Sequence, residues 1–336
     1  MRWIACALLG AVGVFASTGA GAADLPKIRY GGDGGFNQLP LVIAEQQGFF
    51  KKEGVVIERV PMAATGPDSN SQAAAKGYEA SIERGGGADM SGANAGFFID
   101  AVLNGSDAVA VGTVMANPVY SLIVRPEIKT YADLKGKTIT LTAIWDGITL
   151  TSRALLAKNG IGRNDFKFEA IKMSVARLDC MKAGKCAAIV AVQPTDDGAI
   201  KMRLGFHRLG TTLEAGPVNF YIDVVTKKFG ADHKDAIARY LKAKAEAIAF
   251  IHDPKNRDVI TKTVAVETKE DAATVTSMVD TLYDPKKMIL TDKGELNVAW
   301  FNNLLNMAKA SGNWDKPFPP TEKFYDLSYA KAAGIQ

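Results

Sequence analysis

Residues 37–60 read NQLPLVIAEQQGFFKKEGVVIERV, and the order of turn formers and apolar residues in this stretch decides the fold class. Pro40 suits the first helical position, where a missing N–H costs nothing, and Asn37 or Gln38 in front of it can cap a helix. Leu39, Val42 and Ile43 line one face at spacings of three and four. Gly48 can take the left-handed conformation that stops a helix, and Gly54 can repeat the stop after Lys51, Lys52 and Glu53. The helix is therefore short. Val55, Val56 and Ile57 are β-branched and Pro61 follows, so residues 55–60 are expected to be a strand. With a strand expected at residues 28–30, the unit runs strand, loop, helix, strand, the building block of a parallel α/β sheet.

Here a resemblance becomes specific. Pro40, Ala44, Gly48, Phe49, Phe50 and Gly54 resemble the "P…A…GFF…G" run of periplasmic substrate-binding proteins of ABC importers, in the branch for sulfonates, taurine, nitrate and thiamine precursors. YADLKGKTITL, residues 131–141, is similar to the "DL.GK.I" run that opens the second lobe in that family. FYDLSYAKAAG, residues 324–334, resembles its C-terminal segment. The resemblance covers almost the whole mature chain and is strongest at residues 37–60 and 131–160. It implies an α/β, type II periplasmic binding protein fold. Two lobes, each a mainly parallel sheet flanked by helices, would be joined by a two-crossing hinge.

The pattern along the chain supports that layout. Residues 108–114 and 122–124 are apolar and strand-like. Residues 138–141 favour extended structure after Gly136 stops a turn. Helix, strand, helix and buried strand are then expected at 149–158, 166–171, 175–183 and 186–192. VNFYIDVV, residues 218–225, reads as the strand that returns to the first lobe. Crossings near Tyr120 and Phe220 place lobe 1 at 24–120 and 222–336, with lobe 2 inserted at 121–221. Ile237, Tyr240, Leu241, Ala245, Ile248 and Ile251 keep helical spacing over about four turns, with Asp232 in front as a candidate cap. A further amphipathic helix is expected at 295–310, ending at Ser311 and Gly312. No internal repeat is visible.

The chain has 336 residues, a net charge of +4 and 47% hydrophobic residues. MRWIACALLGAVGVFASTGAGA, residues 1–22, has one positive charge, an apolar run and a small-residue cleavage site, which reads as a signal peptide. The run is shorter than the roughly 20 residues that a membrane span needs. Cys6 lies inside the run and is not placed as a lipid-attachment cysteine. A soluble, periplasmic protein with no membrane span is expected after processing. The weak positive excess argues against a nucleic-acid partner, which leaves a basic stripe. Cys180 and Cys186 remain in the mature chain, either as a disulfide or as two half-buried thiols.

Enzyme signatures are sparse. GKT at residues 136–138 lacks the first glycine of a phosphate loop, because Tyr131 stands there. GGDGG at residues 31–35 is followed by Asn37 where a dinucleotide fingerprint has its third glycine. The three histidines, His207, His233 and His252, have no partner at metal-ligand spacing. Pyrimidine-synthesising enzymes of the same fold depend on a cysteine-rich motif that is missing here. No catalysis, cofactor or metal is expected.

What remains is binding. In open α/β sheets ligands sit outside the carboxyl ends of the strands, here the loops at residues 31–38, 91–96, 115–120, 144–149 and 193–197. Asp33, Phe36, Asn37, Gln38, Asn94 and Asn117 are expected on one wall, and Trp145, Asp146, Thr149 and Gln193 on the other. Asn37 and Asp146 are equally suited to cap their helices, and Phe36 or Trp145 to fill the core. The helix N-terminus after Gly147 offers free N–H groups to an anion such as a sulfonate, carboxylate or nitrate. The loops contain no arginine or lysine and do contain Asp33 and Asp146, which fits a neutral, cationic or zwitterionic nitrogen heterocycle better. The resemblance implies a receptor that captures a small organic solute between two lobes and presents it to an ABC permease. The rival readings are an exported enzyme of the same fold, acting on a heterocycle, and a sensor docking to a membrane receptor.

Overall fold

The computed structural model describes residues 25–32, 35–60, 87–117, 119–193 and 196–335; Asp33 and segment 1–22 lie outside the described residues. The chain forms β1 (Lys27–Gly31), α1 (Leu39–Gln46), α2 (Phe49–Lys52), β2 (Val56–Val60), β3 (Met90–Asn94), α3 (Ala95–Leu103) and β4 (Ala108–Met115). It continues through β5 (Tyr120–Val124), β6 (Thr138–Leu141), α4 (Gly147–Lys158), β7 (Lys167–Ala170), α5 (Ser174–Lys182), β8 (Ala188–Val192), α6 (Asp196–Lys201) and β9 (His207–Thr211). Then come β10 (Tyr221–Thr226), α7 (Lys227–Asp232), α8 (Lys234–His252), α9 (Arg257–Thr268), α10 (Ala272–Tyr283), α11 (Val298–Ala310) and α12 (Ser328–Ala332).

These elements build two five-stranded sheets, ordered β2-β1-β3-β10-β4 and β7-β6-β8-β5-β9. β1 pairs in parallel with β2 and β3, and β6 with β7 and β8. β10 is antiparallel to both of its neighbours, and so is β5. Each sheet therefore has one reversed strand. In each case it is the strand that enters directly after the chain has crossed from the other sheet, at residues 116–119 for β5 and 212–220 for β10.

The opening unit forms as its residues dictate, with two differences. Gly48 and Gly54 hold φ of 73° and 70° and end the two short helices. However, α1 buries all six residues from Leu39 to Ala44 instead of one stripe, because it packs against α8 as well as the first lobe's core. Pro40 stands at the second helical position behind the N-cap Gln38, whose side chain makes no capping bond. Asp232 closes α7 rather than capping α8, where the cap position is His233.

Below this unit lies a fully buried ion pair. Lys244 Nζ donates to Asp223 and to the Thr113 carbonyl (2.9 Å), while the Tyr30 and Tyr240 hydroxyls donate to Asp223 Oδ1 at 2.9 and 2.8 Å. Burial, and then the Asp223 charge, push both tyrosine hydroxyls far above their ordinary pKa. The network pins β10 to β1, β4 and α8.

Two further ties hold the lobes together beyond the crossings. α11 packs on both α3 and α4, and Phe98, Trp145, Phe220, Phe301 and Phe324 share one core drawn from both sheets. In the second lobe Cys180 and Cys186 are joined in a disulfide across the turn from α5 to β8, with Cα atoms 5.5 Å apart. Glu169 lies near both sulfurs, but sulfurs bonded to each other offer no thiolate to a metal. Among the described residues no helix is long and apolar enough to cross a membrane.

Candidate functional site

The parallel strands end, and the reversed strands begin, along one edge of each sheet, and a cavity of about 190 Å³ lies between these edges. Phe36 and Asn37 contribute from the loop after β1, and Met115, Asn117, Val119, Tyr120 and Phe220 from the two crossings. Val192 and Gln193 enter from the end of β8, and Thr268, Glu270, Met278, Thr281 and Ile289 from the C-terminal helices and the segment after them. Among the described residues of this lining Glu270 is the one that is charged, and none is basic. The wall is predominantly apolar, which suits a small organic body held by a few polar contacts.

Polar side chains at the crossings are already engaged. Asn117 is buried; its Oδ1 accepts from Val218 N (2.9 Å) and its Nδ2 donates to the Met288 carbonyl (2.9 Å). It therefore buckles the second crossing to the C-terminal segment. Gln193 Nε2 donates to Ser121 Oγ (2.9 Å), and its backbone N–H to the Val119 carbonyl (2.9 Å).

The remaining expected residues fall elsewhere. Gln38 is buried against Gly32 and Gly92. Thr149 is fully buried and shares a hydrogen bond with Thr142 (3.0 Å). Trp145, 5% exposed, belongs to the shared core and does not line the cavity. Asn94 and Asp146 meet each other instead of the cavity. Asn94 Nδ2 donates to Asp146 Oδ1 (2.9 Å), and Asn94 Oδ1 accepts from Gly96 N and Gly147 N, both at 3.0 Å. Asp146 Oδ1 in turn accepts from Ile148 N (2.9 Å). The starts of α3 and α4 thus point at one another, and these two side chains satisfy their N–H groups. The expectation that Gly147 and Ile148 present free donors to an anion is corrected on this ground. Thr151 is spent too, donating to the Gly147 carbonyl (2.8 Å). Burial raises the Asp146 pKa above its ordinary value, only partly offset by its hydrogen bonds to Ile148, Thr142 and Asn94.

One positioning residue was missed by the sequence reading. Arg177, 1% exposed, donates to the carbonyls of Val190, Ile171 and Lys172, each at 2.8 Å, and to Ser174 Oγ (2.9 Å). It ties the ends of β7 and β8 together just before Gln193. Its only sequence signal is an arginine on the half-apolar helix α5.

Two more cavities are present among the described residues. One of about 300 Å³ shares Gln193 and Thr281 with the cleft cavity and is strongly polar. Another of about 450 Å³ lies around His252, Tyr283 and Trp300, within the C-terminal part of the chain, and contains none of the expected residues.

This architecture is that of the generic periplasmic binding proteins. Residues 35–257 match the NMT1/THI5-like family, and the chain belongs to that family. No curated protein sequence matches the chain. Among solved structures, the aliphatic sulphonate binding protein SsuA of Escherichia coli is similar at TM-score 0.65 and 20% identity, covering 84% of this chain and 91% of that one. The nitrate-binding protein NrtA of Synechocystis PCC 6803 gives 0.63 and 13%, with 93% and 89% covered. A mutant of DSZB in complex with biphenyl-2-sulfinic acid gives 0.61 and 11%, with 93% and 99% covered. At these identities the likeness speaks for the fold.

Proposed function

We propose that the chain is an exported, periplasmic receptor that captures a small neutral or cationic organic solute between its two lobes and passes it to an ABC permease. The observation that carries this reading is the cleft cavity, lined from both sheets and both crossings, apolar in the main and, among the described residues, without a basic side chain. An anion would meet Glu270 there and no counter-charge, whereas an uncharged or positive ring system gains from Phe36, Phe220 and Met278. Membership of the NMT1/THI5-like family and likeness to proteins named for sulphonate and nitrate binding support the receptor class. They leave the ligand to the cavity.

The test is a thermal-shift screen over sulfonates, taurine, nitrate, aromatic acids, pyrimidines and amines, since a binder of the folded state raises the midpoint. Pyrimidines or aromatic amines are expected to raise it, and nitrate is not. Val192→Arg, which fills the cavity, should abolish that shift while leaving the unliganded midpoint nearly unchanged. Trp145→Ala should instead lower the unliganded stability by about 3–5 kcal/mol, as loss of a core aromatic does. Turnover of any bound compound would defeat the receptor reading in favour of an enzyme.

A further inference from the structure

We propose that Asp196 fixes the polar end of the bound solute and that this end is an ammonium group attached to the ring body held in the cleft cavity. The inference rests on the cleft reading and adds to it a specificity residue and a ligand charge.

Asp196 is fully buried. Its Oδ2 accepts from Arg208 Nε at 3.0 Å, and Arg208 is further held by Ser121 Oγ (2.8 Å) and Asp197 Oδ1 (3.1 Å). Its other oxygen, Oδ1, is buried and has no hydrogen-bonding partner among the described residues. A carboxylate oxygen in that position is desolvated without compensation until a donor reaches it. Asp196 lines the polar cavity of about 300 Å³ that shares Gln193 and Thr281 with the cleft cavity. A solute seated in the apolar part therefore points its substituent toward Asp196.

Charge selects the substituent. Among the described residues the polar cavity is lined by four carboxylates, Asp196, Asp197, Asp280 and Asp284, and by two cations, Arg208 and Lys287; Asp280 is paired with Arg257 from outside the lining, which leaves one negative charge in excess. Arg208 is already engaged by the carboxylates, and Lys287 Nζ donates to Thr281 Oγ1 (3.2 Å). Neither is left facing an incoming anion unpaired. An ammonium supplies up to three donors and a positive charge where one acceptor is empty and the fixed charge is negative, and charge-assisted bonds of this kind are about twice as strong as neutral ones.

Isothermal titration calorimetry of the full chain with benzylamine, benzyl alcohol and benzenesulfonate separates the ring from its substituent. Benzylamine is expected to bind at least about tenfold more tightly than benzyl alcohol, with benzenesulfonate weakest. Asp196→Asn should reduce the preference for the amine to below about threefold and spare the alcohol, because Arg208 keeps Asp197 and Ser121. Ser277→Lys puts a competing ammonium into the same cavity and leaves the buried ion pair intact; it should remove the amine preference even if Asp196→Asn fails to fold. Benzenesulfonate binding as tightly as benzylamine, or an amine preference that survives Ser277→Lys, overturns the inference and leaves the cleft reading standing. No binding of any of the three probes overturns both.

Discussion

Asp146 at the start of α4 accepts from Ile148 N and Asn94 Nδ2, and burial holds its pKa above the ordinary 3.8. A raised carboxyl pKa means that the fold favours the protonated form. Its stabilising contribution is full below 3.8 and is lost as pH rises through the raised folded value. Asp146→Asn keeps an oxygen for Ile148 and has no charge to desolvate. The midpoint of the variant should therefore gain on the parent as pH is raised from about 3 to about 6, followed by circular dichroism melts; a gap that narrows over that range would contradict the assignment. Lys244 and Asp223 pose the opposite case, a pair that is stable only while complete. Lys244→Met leaves an unpaired buried carboxylate and should cost about 3–5 kcal/mol in urea unfolding, part of which the double variant with Asp223→Asn recovers. Residue types were legible in the sequence, and their partners were not. Asn94, Asp146, Thr149 and Thr151 all have the chemistry of ligand contacts. Asn94 and Asp146 are consumed by each other across the lobes, a pairing that no local spacing encodes, whereas Thr149 bonds Thr142 and Thr151 the Gly147 carbonyl of its own helix.

Elements were legible where local rules suffice. The glycine stops at 48 and 54, the strand that follows them and the stripe of α8 follow from conformational freedom, β-branching and helical period. The full burial of α1 escaped the reading, because it depends on a helix some two hundred residues away in sequence. β9 escaped as well, and although the chain after residue 225 reads as largely helical, the bounds of the helices between 257 and 283 were not legible; α9 carries exposed Val259 and Val266 on its outer face, which blurs its apolar period. The junction of α3 with α4 is an element-scale constraint of the same kind. A Cβ at Gly96 would run into the Trp145 carbonyl and lie 2.8 Å from Gly147 N. Gly96→Ala improves helix propensity by about 1 kcal/mol, but the contact is with backbone that has no room to yield. It should lower the melting midpoint and raise the radius of gyration in small-angle scattering. A higher midpoint with unchanged scattering would show that the helix ends are not pressed together.

The whole molecule is held by more than a pair of crossings. The shared aromatic core and α11 bridge the lobes and the Asn117 buckle ties the crossings to the C-terminal segment, so the closure expected of the proposed receptor has to keep these contacts. Asn117→Ala leaves Val218 N and the Met288 carbonyl without their partner, at about 1–3 kcal/mol for each buried group. It should lower stability and weaken any ligand found in the screen, read by calorimetry on the same sample; full affinity at reduced stability would confine Asn117 to a structural role. The reversed strand of the first sheet also sets an order in time. Every strand of the second sheet lies within residues 120–211, whereas β10, which alone among the described strands joins β3 to β4, arrives at 221–226. As a ribosome delivers the chain from its N-terminus, the inserted lobe has its full complement of strands first. Until β10 emerges, β3 and β4 have nothing between them, and the leading part of the chain stays unlocked until synthesis has passed residue 226 of 336.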